Sequence, residues 1–529
     1  MLQTPTATRG AVVAPHHLAA QAGLRVLRDG GNAIEAMVAA ASTIAVVYPH
    51  MNSLGGDNFW LITDGHNAPI GIDACGGVAA AADVEFYRRQ GHNEIPSRGP
   101  LAANTVAGAV SGWQQALDVS QRWGGKLPVA RLLEDAEHYA RDGVPVTTSQ
   151  HNNTVAKRAE LENVPGFAAS FLPNGEPPAV ASVFKQPAFA QTLKELASRG
   201  LDDFYRGELA RAISAELKQV GSPVNAEDLV RHHAREVQPL SVQLRAGTAY
   251  NMPPPTQGLV SRILLALFDR HGCTQAEGFD YLHLMVEATK CAFRIRDKHV
   301  TDPAYMDVAP ESFLTDKVLS DMLETIDRQK AAPWGSEAGG GDTVWLGAID
   351  SAGRAVSFIQ SIYWEFGSGV VLPGTGILWQ NRGASFKLDE AALNLLKPGR
   401  KPFHTIQPAM ALLKDGRVMV YGTMGGEGQP QTQAVIYTRY AQYGQELQAA
   451  VTGPRWLLGR TWGAPKTNVR IENRFPPEVI QALAQAGHDV EVVGPFDEVM
   501  GHAGAIVRHA SGIIEGAADP RGDGGVAAF

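Results

Sequence analysis

The stretch Gly339-Gly340-Gly341-Asp342-Thr343-Val344-Trp345-Leu346-Gly347-Ala348-Ile349-Asp350 decides how this chain is read. Three glycines and an aspartate lead straight into an apolar run with strand character. A cut between Asp342 and Thr343 would make Thr343 a new N-terminal residue at the head of that strand. Its α-amine, titrating at about 7.7–8.0, could then take the proton of its own hydroxyl, one way to activate a threonine nucleophile. Glycines before a threonine also serve as a plain loop entering a strand, so the rest of the chain has to decide.

Upstream, residues 327–342 mix Pro, Ala, Ser and Gly without a periodic pattern, and are expected to be exposed and mobile. Downstream, strands are expected at 344–349, 355–361, 369–371 and 418–421, and helices at 433–443 and 477–486. Residues 14–47 read as two helices broken at Arg28-Asp29-Gly30-Gly31-Asn32, where the glycines suit a C-cap and Asn32 the next N-cap. The second of these is small and apolar almost throughout, as a buried helix would be. Short strands follow at 59–63 and 69–73, and 112–217 is largely helical. The rigid loop Met252-Pro253-Pro254-Pro255-Thr256-Gln257-Gly258 leads into an amphipathic helix around 260–269, and a second long helix carries 283–290. No fixed period appears, which argues against solenoids and propellers. Strands and helices on both sides of position 343 suggest a layered α/β or α+β body.

Composition narrows the function. The 529 residues are 44% hydrophobic and 19% charged, an ordinary globular balance. A net charge of −8 leaves no basic footprint for nucleic acid or an anionic membrane. Cys75, Cys273 and Cys291 are scattered and odd in number, which suits reduced thiols in a cytosol-like compartment. The start, Met1-Leu2-Gln3-Thr4-Pro5-Thr6, lacks a basic and then apolar leader, and no apolar run reaches the ~18 residues of a membrane helix. A cytoplasmic location is the expectation.

Four segments of the last third carry candidate chemistry. They are Thr343 itself; Gln360-Ser361-Ile362-Tyr363-Trp364-Glu365-Phe366-Gly367-Ser368-Gly369; Lys401-Pro402-Phe403-His404-Thr405-Ile406-Gln407-Pro408; and Gly422-Thr423-Met424-Gly425-Gly426-Glu427-Gly428. Adjacent glycines let backbone N–H groups point into a cavity, as an oxyanion hole requires. On residue type alone, His404 more often is a hydrogen-bonded structural histidine and Arg382 a surface or ion-pair arginine, while Gly425-Gly426 equally suits a tight turn. No phosphate-loop or dinucleotide fingerprint is present. The pairs His16-His17 and His232-His233 are adjacent, so neither pair can present both rings to one ion from a regular helix. No cofactor or metal is expected.

Together these segments resemble the γ-glutamyltranspeptidase family over essentially the whole chain. The resemblance is carried by Asp29-Gly30-Gly31-Asn32-Ala33-Ile34-Glu35-Ala36, Asn52-Ser53-Leu54-Gly55-Gly56, Met252-Pro253-Pro254-Pro255 and Glu287-Ala288-Thr289-Lys290. Phe366-Gly367-Ser368-Gly369, Lys401-Pro402-Phe403-His404-Thr405 and Met424-Gly425-Gly426 follow in the family's order and spacing. It implies an α+β fold, a four-layer αββα sandwich of the N-terminal nucleophile hydrolase type. It also implies a precursor that cuts itself at Asp342–Thr343 into a large chain 1–342 and a small chain 343–529, with a dimer of αβ units left open. Carried over, Thr343 is the nucleophile, Ser361 supports the N-terminal threonine, and Gly425 and Gly426 supply the oxyanion N–H groups.

The departures from the family pattern bear on substrate. Cys75, in Ile72-Asp73-Ala74-Cys75, stands where the family's transpeptidases carry the arginine that binds the glutamyl α-carboxylate. His404-Thr405 replaces a serine pair at the same carboxylate, Ser385 an acidic residue that holds the ammonium, and Tyr363 an asparagine. An amino-acid zwitterion buried without its charge partners is strongly disfavoured. The pattern is nearest to the branch of the family that hydrolyses oxamate to oxalate and ammonia in purine-nitrogen catabolism. Tyr363, His404, Thr405 and Arg382 are then the expected substrate-binding residues for a small amide with one carboxylate. The alternatives are a γ-glutamyl transferase or hydrolase, an acylase of larger amides such as glutaryl β-lactams, and an uncut homologue with a binding or structural role.

Overall fold

Along residues 344–349 of the strand Asp342–Asp350 the side chains alternate between two apolar environments, as the period of a strand buried on both faces requires. Val344, Leu346 and Ala348 join a core shared with the helices of the N-terminal half, while Trp345 and Ile349 join a separate core with Phe59, Met410, Val420 and Ile506. That second core lies between two sheets. The computed structural model describes residues 3–335, 342–459 and 467–529, so the reading of Gly339-Gly340-Gly341 lies outside the described residues.

One seven-stranded sheet runs, edge to edge, through Gly525–Ala528, Gly10–Ala14, Asp342–Asp350, Ala355–Tyr363, Asp57–Thr63, Ile70–Asp73 and Arg235–Val237. The other runs through Thr6–Ala7, Ile514–Ala518, Ala503–Arg508, Val418–Thr423, Ala409–Leu413, Gly247–Asn251 and Leu240–Gln243. Every pairing within them is antiparallel. Helices His17–Arg28, Ala33–Val47 and Ala109–Arg122 cover the outer face of the first sheet. Helices Gly258–His271, Phe279–His299 and Gln429–Tyr437 cover the second. The result is a four-layer αββα sandwich, the α+β fold expected.

Local chemistry explains the elements. Asn32 caps Ala33–Val47 by accepting from Ile34 and Glu35 N–H, and Glu35 returns a bond to the Asn32 N–H at 2.8 Å. All residues of that helix are buried, as its composition predicts. Between the sheets, Trp345 sets the spacing. Its indole Nε1 donates to Ser357 Oγ at 3.0 Å, and a Cβ built on Gly422 would run into its Cδ1. A Cβ on Gly504 would come within 2.5 Å of the same ring.

Three local expectations need correction. Residues 369–371 form no strand: Gly367 and Gly369 take left-handed backbone (φ 52° and 77°), and Val371 makes only an isolated bridge to Leu378. The helix expected at 433–443 starts earlier, at Gln429 with Pro430 in its first turn, and widens into a looser turn over Thr438–Gln442. Residues 327–335 are exposed or half-buried but docked rather than loose. Ala331 N–H donates to Ala486 O at 2.8 Å, and Lys290 Nζ to Ala332 O at 2.7 Å. No helix among the described residues is long and apolar enough to cross a membrane.

Candidate active site

Three neighbouring strands of the first sheet bring Thr343, Ser361 and Asp57 to one end of it. Val344 pairs with Gln360 and Asp342 with Tyr363, with a shift of register between them that places Thr343 opposite the Ser361 region. Ser361 in turn pairs with Asp57. By the period of two, all three side chains point into the space between the sheets, on the same face as Trp345 and Phe59. All three are buried.

Tyr363 follows with φ 83°, a left-handed conformation that a bulky residue adopts only where its surroundings impose it. Its N–H donates to Ser361 Oγ at 2.8 Å. Its ring lies beneath Arg382, whose Cζ is 3.8 Å from the ring centroid. Arg382 is buried, and neither terminal nitrogen has a hydrogen-bond partner among the described residues. Loss of solvent holds its guanidinium down to about 10, against the pull of Tyr363 and Asp57.

The second sheet supplies the opposite wall. His404 and Thr405 lie on a loop braced against the Pro253–Gln257 turn: His404 N–H donates to Pro255 O at 2.9 Å, and Gln257 N–H to His404 O at 2.9 Å. The His404 ring packs edge-on to Phe59, and its Nε2 lies 3.6 Å from Asp57 Oδ2. Burial, then Arg382 and Lys401, keep this imidazole neutral. Both its ring nitrogens and Thr405 Oγ1 lack hydrogen-bond partners among the described residues.

Gly425 and Gly426 open the helical run that continues through Gln429–Tyr437, with φ of 110° and 53°. N–H groups at a helix start have no intrahelical acceptor, so they are available to an oxygen that develops negative charge. Behind the turn, Glu427 makes a buried pair with Arg296, Oε1 to Nη2 at 2.7 Å.

The structure therefore draws Thr343, Ser361, Tyr363, Arg382, His404, Thr405, Gly425 and Gly426 into one connected cluster. Three members went unread in the sequence. Gln257 Nε2 donates both to Thr405 O (2.7 Å) and to Gly426 O (2.8 Å), tying the two loops together. Asp57 Oδ1 accepts from Gly76 and Gly108 N–H, each at 3.0 Å. Burial raises this carboxyl to about 7, against the Gly76 bond and the charge of Arg382. Lys401 Nζ sits on Asp73 Oδ2 at 2.6 Å, while Cys75 Sγ donates to Asp73 Oδ1 at 3.1 Å. Burial, reinforced by Asp73, raises the Cys75 thiol and keeps it neutral. The only hint of these three in the sequence was their company: Gly55-Gly56-Asp57, Pro254-Pro255-Thr256-Gln257 and the Lys401-to-Thr405 loop.

A cavity of about 410 Å³ reaches Cys75 and Lys401, with Val106, His232 and Pro398 on its walls. Among the described residues one group offers a cation three ligand atoms: His283, Glu287 and His488. Its atoms are already engaged. His283 Nδ1 and His488 Nε2 share a hydrogen bond at 2.8 Å, and Glu287 Oε1 holds the Lys290 ammonium at 2.7 Å.

Two antiparallel sheets between helical layers, with a threonine heading an inner strand, define an N-terminal nucleophile hydrolase sandwich. The chain belongs to the gamma-glutamyltranspeptidase family, whose sequence pattern matches residues 19–529. It is 54% identical to the oxamate amidohydrolase proenzyme of Klebsiella pneumoniae subsp. pneumoniae, over 100% of both chains. It is 41% identical to the glutathione hydrolase-like YwrD proenzyme of Bacillus subtilis, over 98% of each. Among solved structures it superposes on a cephalosporin acylase from Bacillus halodurans with a TM-score of 0.92 and 34% identity, over 100% of this chain and 97% of that one.

Proposed function

We propose that this protein is a self-processing amidohydrolase that hydrolyses a small amide bearing one carboxylate, with oxamate to oxalate and ammonia as the reaction. The observation that carries the reading is Arg382, a buried guanidinium whose two terminal nitrogens, like the His404 ring nitrogens and Thr405 Oγ1 near it, have no hydrogen-bond partner among the described residues. A buried guanidinium with unmet donors of this kind is stabilised by an anionic ligand. The 54% identity to an oxamate amidohydrolase proenzyme supports the same substrate.

In this reading the Asp342–Thr343 bond is cut, giving chains 1–342 and 343–529. The freed α-amine takes the Thr343 hydroxyl proton as Oγ1 attacks the amide carbonyl. The N–H groups of Gly425 and Gly426 hold the resulting oxyanion, and Ser361 supports the N-terminal threonine. The α-amine returns the proton to the leaving nitrogen, and ammonia departs. Water, deprotonated by the same amine, then hydrolyses the threonyl ester and releases oxalate. Tyr363, Arg382, His404 and Thr405 position the substrate carboxylate. We assign the reaction to purine-nitrogen catabolism in the cytoplasm.

A second reading, an acylase of larger amides, is favoured by the close superposition on the cephalosporin acylase. Denatured intact mass of purified wild-type protein, followed by side-by-side turnover of oxamate, a glutaryl amide and a γ-glutamyl anilide, separates the readings. Two fragments divided before Thr343, with ammonia released from oxamate, are expected. Thr343→Ala should give one uncut, inactive chain. A processed and active Thr343→Ala protein would overturn the mechanism.

A further inference from the structure

Asp57 has a place at this site that the reaction above leaves unused. Its Oδ1 is fixed by the N–H groups of Gly76 and Gly108, while its Oδ2 is buried with no hydrogen-bond partner among the described residues. The cradle is built for that carboxylate. A Cβ on Gly76 or Gly108 would collide with the Val106 or Ala74 carbonyl, so the backbone approaches closely at both positions. The free oxygen faces His404 Nε2 at 3.6 Å and the unpartnered guanidinium of Arg382. Asp57 lies two strands from Thr343, which at the usual spacing is roughly 10 Å. A small carboxylate anchored on Arg382 would share that cation with a second, fixed carboxylate.

Two carboxylates on one guanidinium, sealed from water, cannot both stay ionised without a large electrostatic cost. The other groups facing Asp57 offer no relief. Among the described residues the cation acting on it is Arg382, His404 is held neutral, the Tyr205 phenol and Cys75 thiol are pushed up by burial, and Gln380 contributes a hydrogen-bonding pull but no charge. Beyond Cys75, Asp73 is already matched by Lys401.

We infer that Asp57 is a specificity-determining residue that takes up one proton when the substrate's carboxylate settles on Arg382, so that the pocket admits an anion and a proton together. The inference rests on the reading of Arg382 as the carboxylate anchor. The step is Asp57–COO⁻ plus H⁺ giving Asp57–COOH, with the new O–H on Oδ2 turned from acceptor to donor toward the bound carboxylate. Burial has already brought this carboxyl close to neutrality before any ligand arrives. A ligand carrying an ammonium beside its carboxylate would instead keep Asp57 ionised and bind without that proton.

The test is calorimetric titration of sodium oxalate into processed wild-type protein, in phosphate and in Tris, whose ionisation enthalpies differ. At about pH 8 the expected uptake approaches one proton per oxalate, and it falls toward zero near pH 5.5. Apparent affinity should weaken up to about tenfold per pH unit above ~7. Infrared difference spectra should gain the C=O stretch of a protonated carboxyl on adding oxalate, and Asp57→Asn should abolish both signals. The infrared band decides the matter in the wild type even if the variant does not fold. Oxalate binding without proton uptake overturns the inference and leaves Arg382 as anchor. Uptake with no carboxyl band, or persisting in Asp57→Asn, assigns the proton to the Thr343 α-amine and also overturns it. No oxalate binding overturns this inference and the proposed substrate together.

Discussion

The side chain of Gln257 donates to the carbonyl of Gly426 at 2.8 Å, fixing from behind the turn that carries the candidate oxyanion donors. Its amide nitrogen also holds Thr405 O at 2.7 Å, so one group sets the distance between the substrate loop and that turn. Gln257→Leu keeps the bulk and removes both bonds. We expect kcat to fall about tenfold or more with KM nearly unchanged, because misplacing prepositioned donors costs rate rather than ground-state binding. Steady-state kinetics on oxamate check this, and intact mass shows whether processing still occurs.

Arg382→Lys keeps the charge and loses the flat, forked guanidinium that stacks on Tyr363. KM for oxamate should rise about 10- to 100-fold, the range for one charge-assisted contact, with a smaller effect on kcat. An unchanged KM would remove Arg382 from the substrate pocket.

Gly422→Ala puts a methyl group into the indole of Trp345 between the sheets. The expected loss is about 1–3 kcal/mol of stability, read as a lower denaturant midpoint with an unchanged slope. Gly416→Ala, at an exposed turn, is not a suitable control because its φ of 83° brings strain of its own.

Four histidines, His16, His50 and His488 buried and His232 half-buried, are each held down to about 3, chiefly by loss of solvent. Above their unfolded value near 6.5 both states are neutral and these rings leave stability unchanged. Below it the unfolded chain binds protons that the folded one refuses, so stability falls as pH drops from about 6.5 toward 3. Each ring adds a slope of up to about 1.4 kcal/mol per pH unit. Melting temperatures across that window should fall steeply, and His50→Asn, where folding tolerates it, should flatten the profile.

Local signals were legible in proportion to how locally they act. Asn32 announces a helix start because its side chain bonds N–H groups two and three residues on, and the apolar run after Thr343 reads directly as a strand. Residues 369–371 misled because Val370 and Val371 look like strand residues, whereas the neighbouring glycines take backbone that no ladder accepts. The segments holding Ser361, His404 and Gly425-Gly426 stood out by residue type, and the family resemblance gave them their roles. Their residue types alone left bland readings open. Asp57 and Gln257 escaped because their roles depend on distant partners. Gln257 acts on a carbonyl 148 residues further along, and Asp57 matters through strand pairing that brings Ser361 beside it.

The alternation of strands has a consequence for the molecule's history. A cut before Thr343 would leave each sheet woven from both pieces, with 10–14 and 57–63 flanking 342–350 and 355–363 in one, and 247–251 beside 409–413 in the other. Neither piece alone contains a closed set of hydrogen-bonded neighbours. Folding would be a first-order event that happens once, in the intact chain, whereas recovery from denaturation would need two separate polypeptides to meet and interlace. Dilution would then oppose renaturation, and a mature molecule that lost its shape would have forfeited the connectivity that first produced it.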